Sequence, residues 1–373
     1  MKSAKTVLIS GASIAGPALA FWLKRHGFAP TLVERAPKPR PGGQAIDIRG
    51  KALDVMQRMG LRDAAYAHRT RMNGMSVQDA DGNELWRTEE RTFSGGRFDS
   101  DDIEVLRDDL SSILFSAIPD VEVLFDDGVA ALKEDAESVS VRFKHAAERR
   151  FDLVVGADGL HSKVRHLTFG DESPFLKELG IGLAVFSLPN YLKLQNWQIA
   201  FRDEAKGFGY LIYSTRDNAE LRVNIGFAAG VADERRGDVE AQKRLVAEKS
   251  AGWGWEVPGF IERMWASTDF YFGAMAQVIM DEWSRGRVTL VGDAGHCPSP
   301  FSGQGTSLAL VGAYVLAEEL ARSPDNHSAA FARYDQRMRP YVLLNQALAT
   351  RDRSEPDSES DARLNEAKNF IEL

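Results

Sequence analysis

A single cysteine, Cys297, occurs in the 373 residues. That scarcity excludes an internal disulfide framework and a thiolate metal cluster, and it suits a reducing cytoplasm. Basic charge is also short: 46 Lys and Arg against 54 Asp and Glu leave a formal charge of −8, the wrong sign for a nucleic-acid surface or an anionic membrane. No uncharged apolar run reaches the roughly 20 residues that span a bilayer. The stretch "MKSAKTVLISGASIAGPALAFWL" sets lysines ahead of apolar residues, but glycines interrupt it where a secretory signal would be continuous. There is no G-x-S-x-G nucleophile elbow and no H-E-x-x-H pattern, so hydrolase chemistry has no support. What is present is an ordinary globular composition, 44% hydrophobic and 27% charged, in a chain longer than one hydrophobic core normally serves. The expectation is a cytoplasmic protein, a monomer or weak dimer, that handles small molecules and binds neither nucleic acid nor membrane.

Periodicity and punctuation organise the chain. Thr6 to Ser10 reads as a short buried strand, "GASIAG" as a turn, Pro17 to His26 as a helix, and Pro30 to Val33 as a second strand ending at Glu34. This is the start of a βαβ unit. "APKPRPGGQ", residues 36 to 44, is a loop, and a helix from Lys51 to Met59 is closed by Gly60. "MSVQDADGNELW" alternates around an Asp-Gly turn and predicts a hairpin. A helix near Leu106 to Ala117 and strands near Val121 to Leu124 and Val139 to Phe143 follow. "RRFDLVVGADG" is another buried strand, running into a loop at Ala157 to Gly159. From about Leu176 to Met280 longer alternation predicts a sheet-rich second unit. The α/β texture returns at Arg287 with a strand, a Gly- and Pro-rich loop, and an apolar helix from about Ser307 to Ala321. The tail predicts a helix from Ser328 interrupted at Pro340, a polar stretch "RDRSEPDSESD" read as a solvated connector or disordered, and a terminal helix, Arg363 to Leu373, that docks on the body.

Three motifs carry chemistry. Gly11, Ser13 and Gly16 occupy the positions of the dinucleotide fingerprint G-x-G-x-x-G, with a serine in the second place, where a small side chain still admits a pyrophosphate. A strand precedes it, a helix beginning near Ala15 follows, and Glu34 ends the next strand, placed to accept ribose hydroxyls. The plain alternative is a tight strand-to-helix turn with a surface glutamate. NAD and FAD are not separated by this motif alone. The second motif is "GADGLHSKVR" (156 to 165) and the third "GRVTLVGDAGHCPSPFSGQGTSLAL" (286 to 310).

These two resemble the second and third signatures of the single-component flavoprotein aromatic hydroxylases, the family of para-hydroxybenzoate hydroxylase. Arg107 in "EVLRDDL" falls where that family keeps an FAD-contacting arginine. "GGQAIDIRG", "PNYL", "DFYF" and "SGQG" are similar to segments of the tetracycline destructases, a branch of the same family. The resemblance implies FAD contacts at Gly11, Ser13, Ala15, Gly16, Glu34, Arg35, Gln44, Asp47, Arg107, Asp158, Asp293, Pro300, Gly303, Gln304 and Gly305. It implies a role for Arg40 in receiving the nicotinamide cofactor, and Phe301 is the one candidate for touching substrate. One departure stands out: the destructases carry a C-terminal helix over the substrate mouth, whereas this tail is short and charged. The third motif then makes physical sense. Asp293 ends a strand where ribityl or ribose hydroxyls could donate to it, the turn Gly303 to Gly305 lets main chain approach a flat ring, and the following helix points its dipole at the side where reduced flavin gathers negative charge.

"WGWEVP" (253 to 258) nearly matches a signature of flavin-dependent halogenases, but no lysine stands in a matching segment, and paired tryptophans near a helix start more often pack. His296 and Cys297 are too few to bind a metal and are expected to be packing residues. The reading is an α/β fold, a Rossmann-like FAD-binding domain (1–72, 97–175 and 283–340) with an inserted sheet-rich substrate domain (a hairpin, 73–96, and 176–282) and a C-terminal helical tail (341–373). The expected activity is that of an FAD-dependent monooxygenase that uses NADPH or NADH and O2 to hydroxylate an aromatic or polyketide substrate through a flavin C4a-hydroperoxide, with tetracyclines among the candidates. The alternatives are a hydroxylase of another phenol or polyketide and a flavin-binding redox module without oxygenase activity.

Overall fold

The computed structural model describes residues 4–350 and 357–373. Six strands form the central sheet, in the spatial order Ser284–Arg285, Val288–Leu290, Leu153–Gly156, Thr6–Ser10, Ala29–Glu34 and Glu122–Phe125. All pair in parallel except the first two. Val7 to Ile9 and Leu153 to Val155 are buried, as strands covered on both faces must be. The chain moves outward from its first strand to Ala29–Glu34 and later returns on the first strand's other side at Leu153–Gly156. That reversal sets the loops after residues 10, 156 and 290 side by side along one edge, the place where open α/β sheets bind ligands.

The second large sheet has seven strands, in the order Tyr271–Val278, Leu176–Pro189, Glu220–Ala228, Phe208–Thr215, Trp197–Asp203, Gly74–Gln78 and Glu84–Thr88. Its pairs are antiparallel save for Trp197–Asp203 with Gly74–Gln78. Alternation splits its residues between two environments. Phe186, Ile212, Val223 and Ile225 enter a separate apolar core with Phe260 and Met264, while Leu183, Leu211, Tyr213 and Asn224 face a cavity on the other side.

Local expectations hold where the pattern is strong. The helix Lys51–Met59 buries Ala52, Leu53, Val55, Met56 and Met59, and Gly60 ends it at φ 73°. The Asp-Gly hairpin joins Gly74–Gln78 to Glu84–Thr88. Three expectations change. The helix expected to break at Pro340 runs unbroken from His327 to Ala347, because Tyr334, Met338, Tyr341 and Val342 bury a face on both sides of the proline, and packing outweighs the one lost N–H bond. The segment read as sheet-rich also contains the helices Val239–Lys249 and Val257–Met264, whose bounds the sequence reading did not give. The terminal helix starts earlier, at Asp357, and ends at Asn369; Ala367 and Ile371 are buried against the body. Residues 351–356 of the polar stretch lie outside the described residues.

Candidate active site

A cavity of about 2610 Å³ lies between the three motif loops and the inner face of the seven-stranded sheet. Ordinary small-molecule pockets hold roughly 300–1,000 Å³, so this one has room for an extended dinucleotide together with a substrate. Every expected cofactor residue lines it except Gly16 and Gln304. Gly16 works at one remove: a Cβ there would collide with the Gly11 carbonyl, so its missing side chain lets the helix start close against the first loop. Gln304 is fully buried off the cavity, and neither end of its amide has a hydrogen-bond partner. Its side chain therefore departs from the expected contact.

Among the helices that begin on the cavity, Ala15–Arg25 and Gly305–Arg322 follow the first and third motif loops, and neither has a side-chain N-cap. Helices beginning at Lys163, Val239 and His327 are capped by Ser162, Asp238 and Asn326. The uncapped pair leaves first-turn N–H groups and two positive dipole ends directed at the site, a setting for phosphate or for an anionic ring. Glu34 is fixed by the Ala12 N–H (2.9 Å) and the Ala36 N–H (3.0 Å), and its remaining lone pairs can accept from hydroxyls. Asp293 opens to the cavity rather than to bulk water, and desolvation pushes its carboxyl up. Gly303 sits at φ 65°, and a Cβ there would meet nothing closer than Arg49 Nη1 at 3.7 Å. This side of the loop is open to a flat ring. The residues present therefore fit FAD.

Two expected contacts are committed elsewhere. Asp158 accepts from the Ser162 hydroxyl and from the N–H groups of Lys163 (2.8 Å) and Val164 (3.1 Å), so it starts its own helix while bordering the cavity. The Arg107 guanidinium donates to the carbonyls of Arg40 (2.8 Å) and Gly42 (2.6 Å), and desolvation first, then Arg40, lowers its pKa to about 10. It staples the loop that carries Arg40, Gln44 and the strand Ala45–Ile48. Arg40 is exposed at the rim and Phe301 is half-buried on the wall.

Several site residues escaped the sequence reading. Arg165 is fully buried and donates to the carbonyls of Ala294 (2.9 Å) and Leu160 (2.6 Å), tying the second motif to the third. The terminal helix borders the cavity through Leu364, Asn365 and Lys368; the tail, short as it is, reaches the mouth. Both signals lay inside quoted segments or the tail, but only tertiary placement gives them meaning. The neighbours His296 and Cys297 are packing groups: His296 Nε2 is 3.1 Å from the Tyr334 hydroxyl, beside the Trp283 ring, and the Cys297 thiol points at the Ala276 carbonyl. Among the described residues no cluster fits a metal ion and no helix is long and apolar enough to cross a membrane.

A family model described as an FAD binding domain matches residues 4–343. A flavin-dependent monooxygenase from an unknown prokaryotic organism is 43% identical over 93% of this chain and 89% of its own length. The chain belongs to the FAD-binding flavin-dependent monooxygenases. An uncharacterized protein of Mycobacterium tuberculosis strain H37Rv is 50% identical over 93% of both chains. Among solved structures, the tetracycline destructase Tet(51) superposes with a TM-score of 0.88 at 36% identity, over 99% of each chain. This family member is an oxidoreductase that works with FAD, NAD(P)H and O2. The three-motif reading thus led to the right family, and the halogenase-like tryptophans have a different use. Trp253 stacks on Phe208 at 4.3 Å and Trp255 on Tyr210 at 5.3 Å, in the apolar core behind the sheet.

Proposed function

We propose that this monooxygenase hydroxylates a large, neutral to weakly acidic polycyclic phenol or enol, with tetracycline-like polyketides the first candidates. The observation that carries this proposal is the cavity's sheet wall. Opposite the polar motif loops it offers Met75, Val77, Leu183 and Leu211, with the Tyr213 phenol and the Asn224 amide as polar points. A flat polycyclic skeleton with a few oxygens suits a surface of that kind. Similarity to Tet(51), whose own name gives tetracycline as what it destroys, supports the same substrate class.

In this scheme residues 1–72, 97–175 and 283–340 hold the cofactor, 73–96 and 176–282 roof the substrate, and 341–373 closes the mouth. Glu34 and Arg35 would take the ribose end, the two uncapped helices the phosphates and the ring's negative side, and Asp293 the hydroxyls between. Bound FAD supplies hydride acceptance and oxygen activation. The protein's part is to orient it: the Gly303 turn admits the ring, Arg165 locks two of its loops together, and the apolar wall with the terminal helix keeps water away from the oxygen-transfer step. Arg40, at the rim, would meet the phosphates of NADPH or NADH, and Phe301 would touch substrate. The chain would act as a monomer or weak dimer in the cytoplasm.

Purified protein is expected to be yellow and, with NADPH and a panel of tetracyclines, anthracyclines and simple phenols, to add one oxygen atom to a polycyclic member. Glu34→Arg is expected to leave the fold intact and the protein colourless. Oxidation of NADPH without any oxygenated product would favour a redox module, and product from simple phenols alone would move the substrate class.

A further inference from the structure

At the cavity floor, on the side of the strand Ala45–Ile48, lies a buried charge cluster: Asp47, Arg49, Asp102 and Lys368 line the cavity, and Glu104 behind them has no part in the expected flavin contacts. Asp47 and Glu104 stand directly opposite each other in the antiparallel ladder of Ala45–Ile48 with Ile103–Leu106, each 8% exposed. Side chains in that register share a face, with Cβ atoms about 4.5–5.5 Å apart. The charged groups around them are few. Arg49 Nη2 is 2.9 Å from Asp47 Oδ2, Asp102 precedes the Glu104 strand, and Lys368 of the terminal helix reaches Asp102 Oδ2 at 2.8 Å. Three carboxyls therefore face two cations in a nearly dry site.

Hydrogen bonding points to the missing charge. Glu104 Oε1 accepts from the Thr70 hydroxyl, but Glu104 Oε2 and Asp47 Oδ1 are both buried without a partner. Two ionised carboxylates directly opposite each other repel, and each unpartnered oxygen adds a desolvation cost. Desolvation is also the main influence on their acidity. It lifts Asp47 to about 7, with Arg49 pulling down and Glu104 and Asp102 pushing up. Glu104 is raised as well, against the hydroxyls of Ser94 and Thr70.

We propose that Asp47 and Glu104 hold one proton between them and that this one-proton pair, acting through Arg49, sets the charge beneath the flavin loop. With the proton in place the cluster is neutral. Losing it to solvent leaves one extra negative charge under the cavity. Arg49 is the link upward: its backbone N–H donates to Ser307 Oγ at 3.0 Å, its guanidinium donates to the Ser94 carbonyl at 2.8 Å, and it flanks Gly303. An anionic ligand above it, such as a dinucleotide phosphate or a reduced flavin ring, is held better while the pair is protonated. Asp47 is thus a positioning residue, and the proposal rests on the cavity being the flavin site.

The test uses the purified full chain on both sides of the value near 7. FAD affinity, followed by flavin fluorescence, is expected to weaken roughly 15-fold as the pH rises, the effect of one unit charge on another at about 10 Å in a medium of effective dielectric ~20. Asp47→Asn, which imitates the protonated acid while keeping a carbonyl for Arg49, should bind FAD at the low-pH affinity throughout, and Glu104→Gln should flatten the dependence in the same way. If both variants keep the wild-type pH dependence, or if Asp47→Asn loses FAD at every pH, the proposal is overturned. Infrared difference spectra of FAD-free protein provide an independent readout. A protonated-carboxyl band should fade as the pH rises and be absent from Asp47→Asn. A wild-type spectrum without that band overturns the proton pair even if FAD binds well, whereas a titrating band in a protein that takes up no FAD would leave the pair standing and remove the flavin site.

Discussion

The two large sheets face the same cavity and contribute to it in opposite ways. The parallel sheet offers backbone: its loops after Ser10, Gly156 and Leu290 present amide groups, helix ends and glycine turns. The antiparallel sheet offers side chains, among them Leu183, Leu211, Tyr213 and Asn224. A backbone site tolerates few residue types, because a Cβ in the wrong place closes it. A side-chain surface needs only that alternate positions be apolar and of suitable size. The parallel half is therefore strict in sequence, and in the proposed function the antiparallel half would set the substrate within loose limits.

Gly16→Val should break the strict half most severely. Its Cβ would run into the Gly11 carbonyl inside a loop that is already closely packed, and overpacking of that kind costs about 3 kcal/mol. Thermal unfolding should shift down, and FAD should be lost even at temperatures where the variant is folded. A stable, yellow Gly16→Val protein would show that the first loop is less constrained than its geometry indicates.

The same contrast explains what could be read from sequence. That Gly11, Glu34, Asp293 and Gly303 border one cavity was legible because such loops need particular residues at particular spacings, and the Lys51–Met59 helix because its apolar stripe and Gly60 agree. The strand Ala45–Ile48 was missed since four residues beside a Pro- and Gly-rich loop carry too short a pattern, and its pairing partner lies nearly sixty residues further on. The helices Val239–Lys249 and Val257–Met264 were hidden in a segment dominated by alternation. Pro340 was read by its local cost alone, without the neighbours that outweigh it. For Gln304, motif position was taken as contact. The chain there turns its amide into the interior, while its neighbours from Pro300 to Gly303 and Gly305 border the cavity.

His296 sharpens the comparison from within the third loop. The ring is buried against Trp283 and Tyr334, and desolvation lowers its pKa from 6.5 to about 4. Between those values the unfolded chain binds a proton that the folded chain refuses. The stability linked to His296 is therefore fully present above about pH 6.5 and is lost as the pH falls toward 4, up to about 3 kcal/mol for a shift of this size. His296→Asn should flatten this acid limb in a Tm-against-pH series while the flavin absorbance stays unchanged. Loss of bound FAD in that variant would turn a packing residue into a cofactor contact.

The smallest effect is expected from the other half. Trp255 stacks on Tyr210 and meets Phe260 edge-on, but it borders the core behind the sheet and does not line the cavity. Trp255→Leu keeps apolar bulk and removes the two ring contacts, a loss of about 1–3 kcal/mol at the 0.5–1.5 kcal/mol typical of each aromatic pair. Denaturant midpoints should fall accordingly, while FAD affinity should hold, since no motif loop touches this core. The substrate KM should move slightly, because Tyr210, like Leu211 beside it in the same strand, lines the ligand space. A strand that shifts by a few tenths of an ångström changes what its alternate side chains present, without moving the glycine turns across the cavity. A parallel fall in FAD affinity and substrate binding would mean that the two sheets act as one unit, and that the division between backbone and side-chain recognition is only apparent.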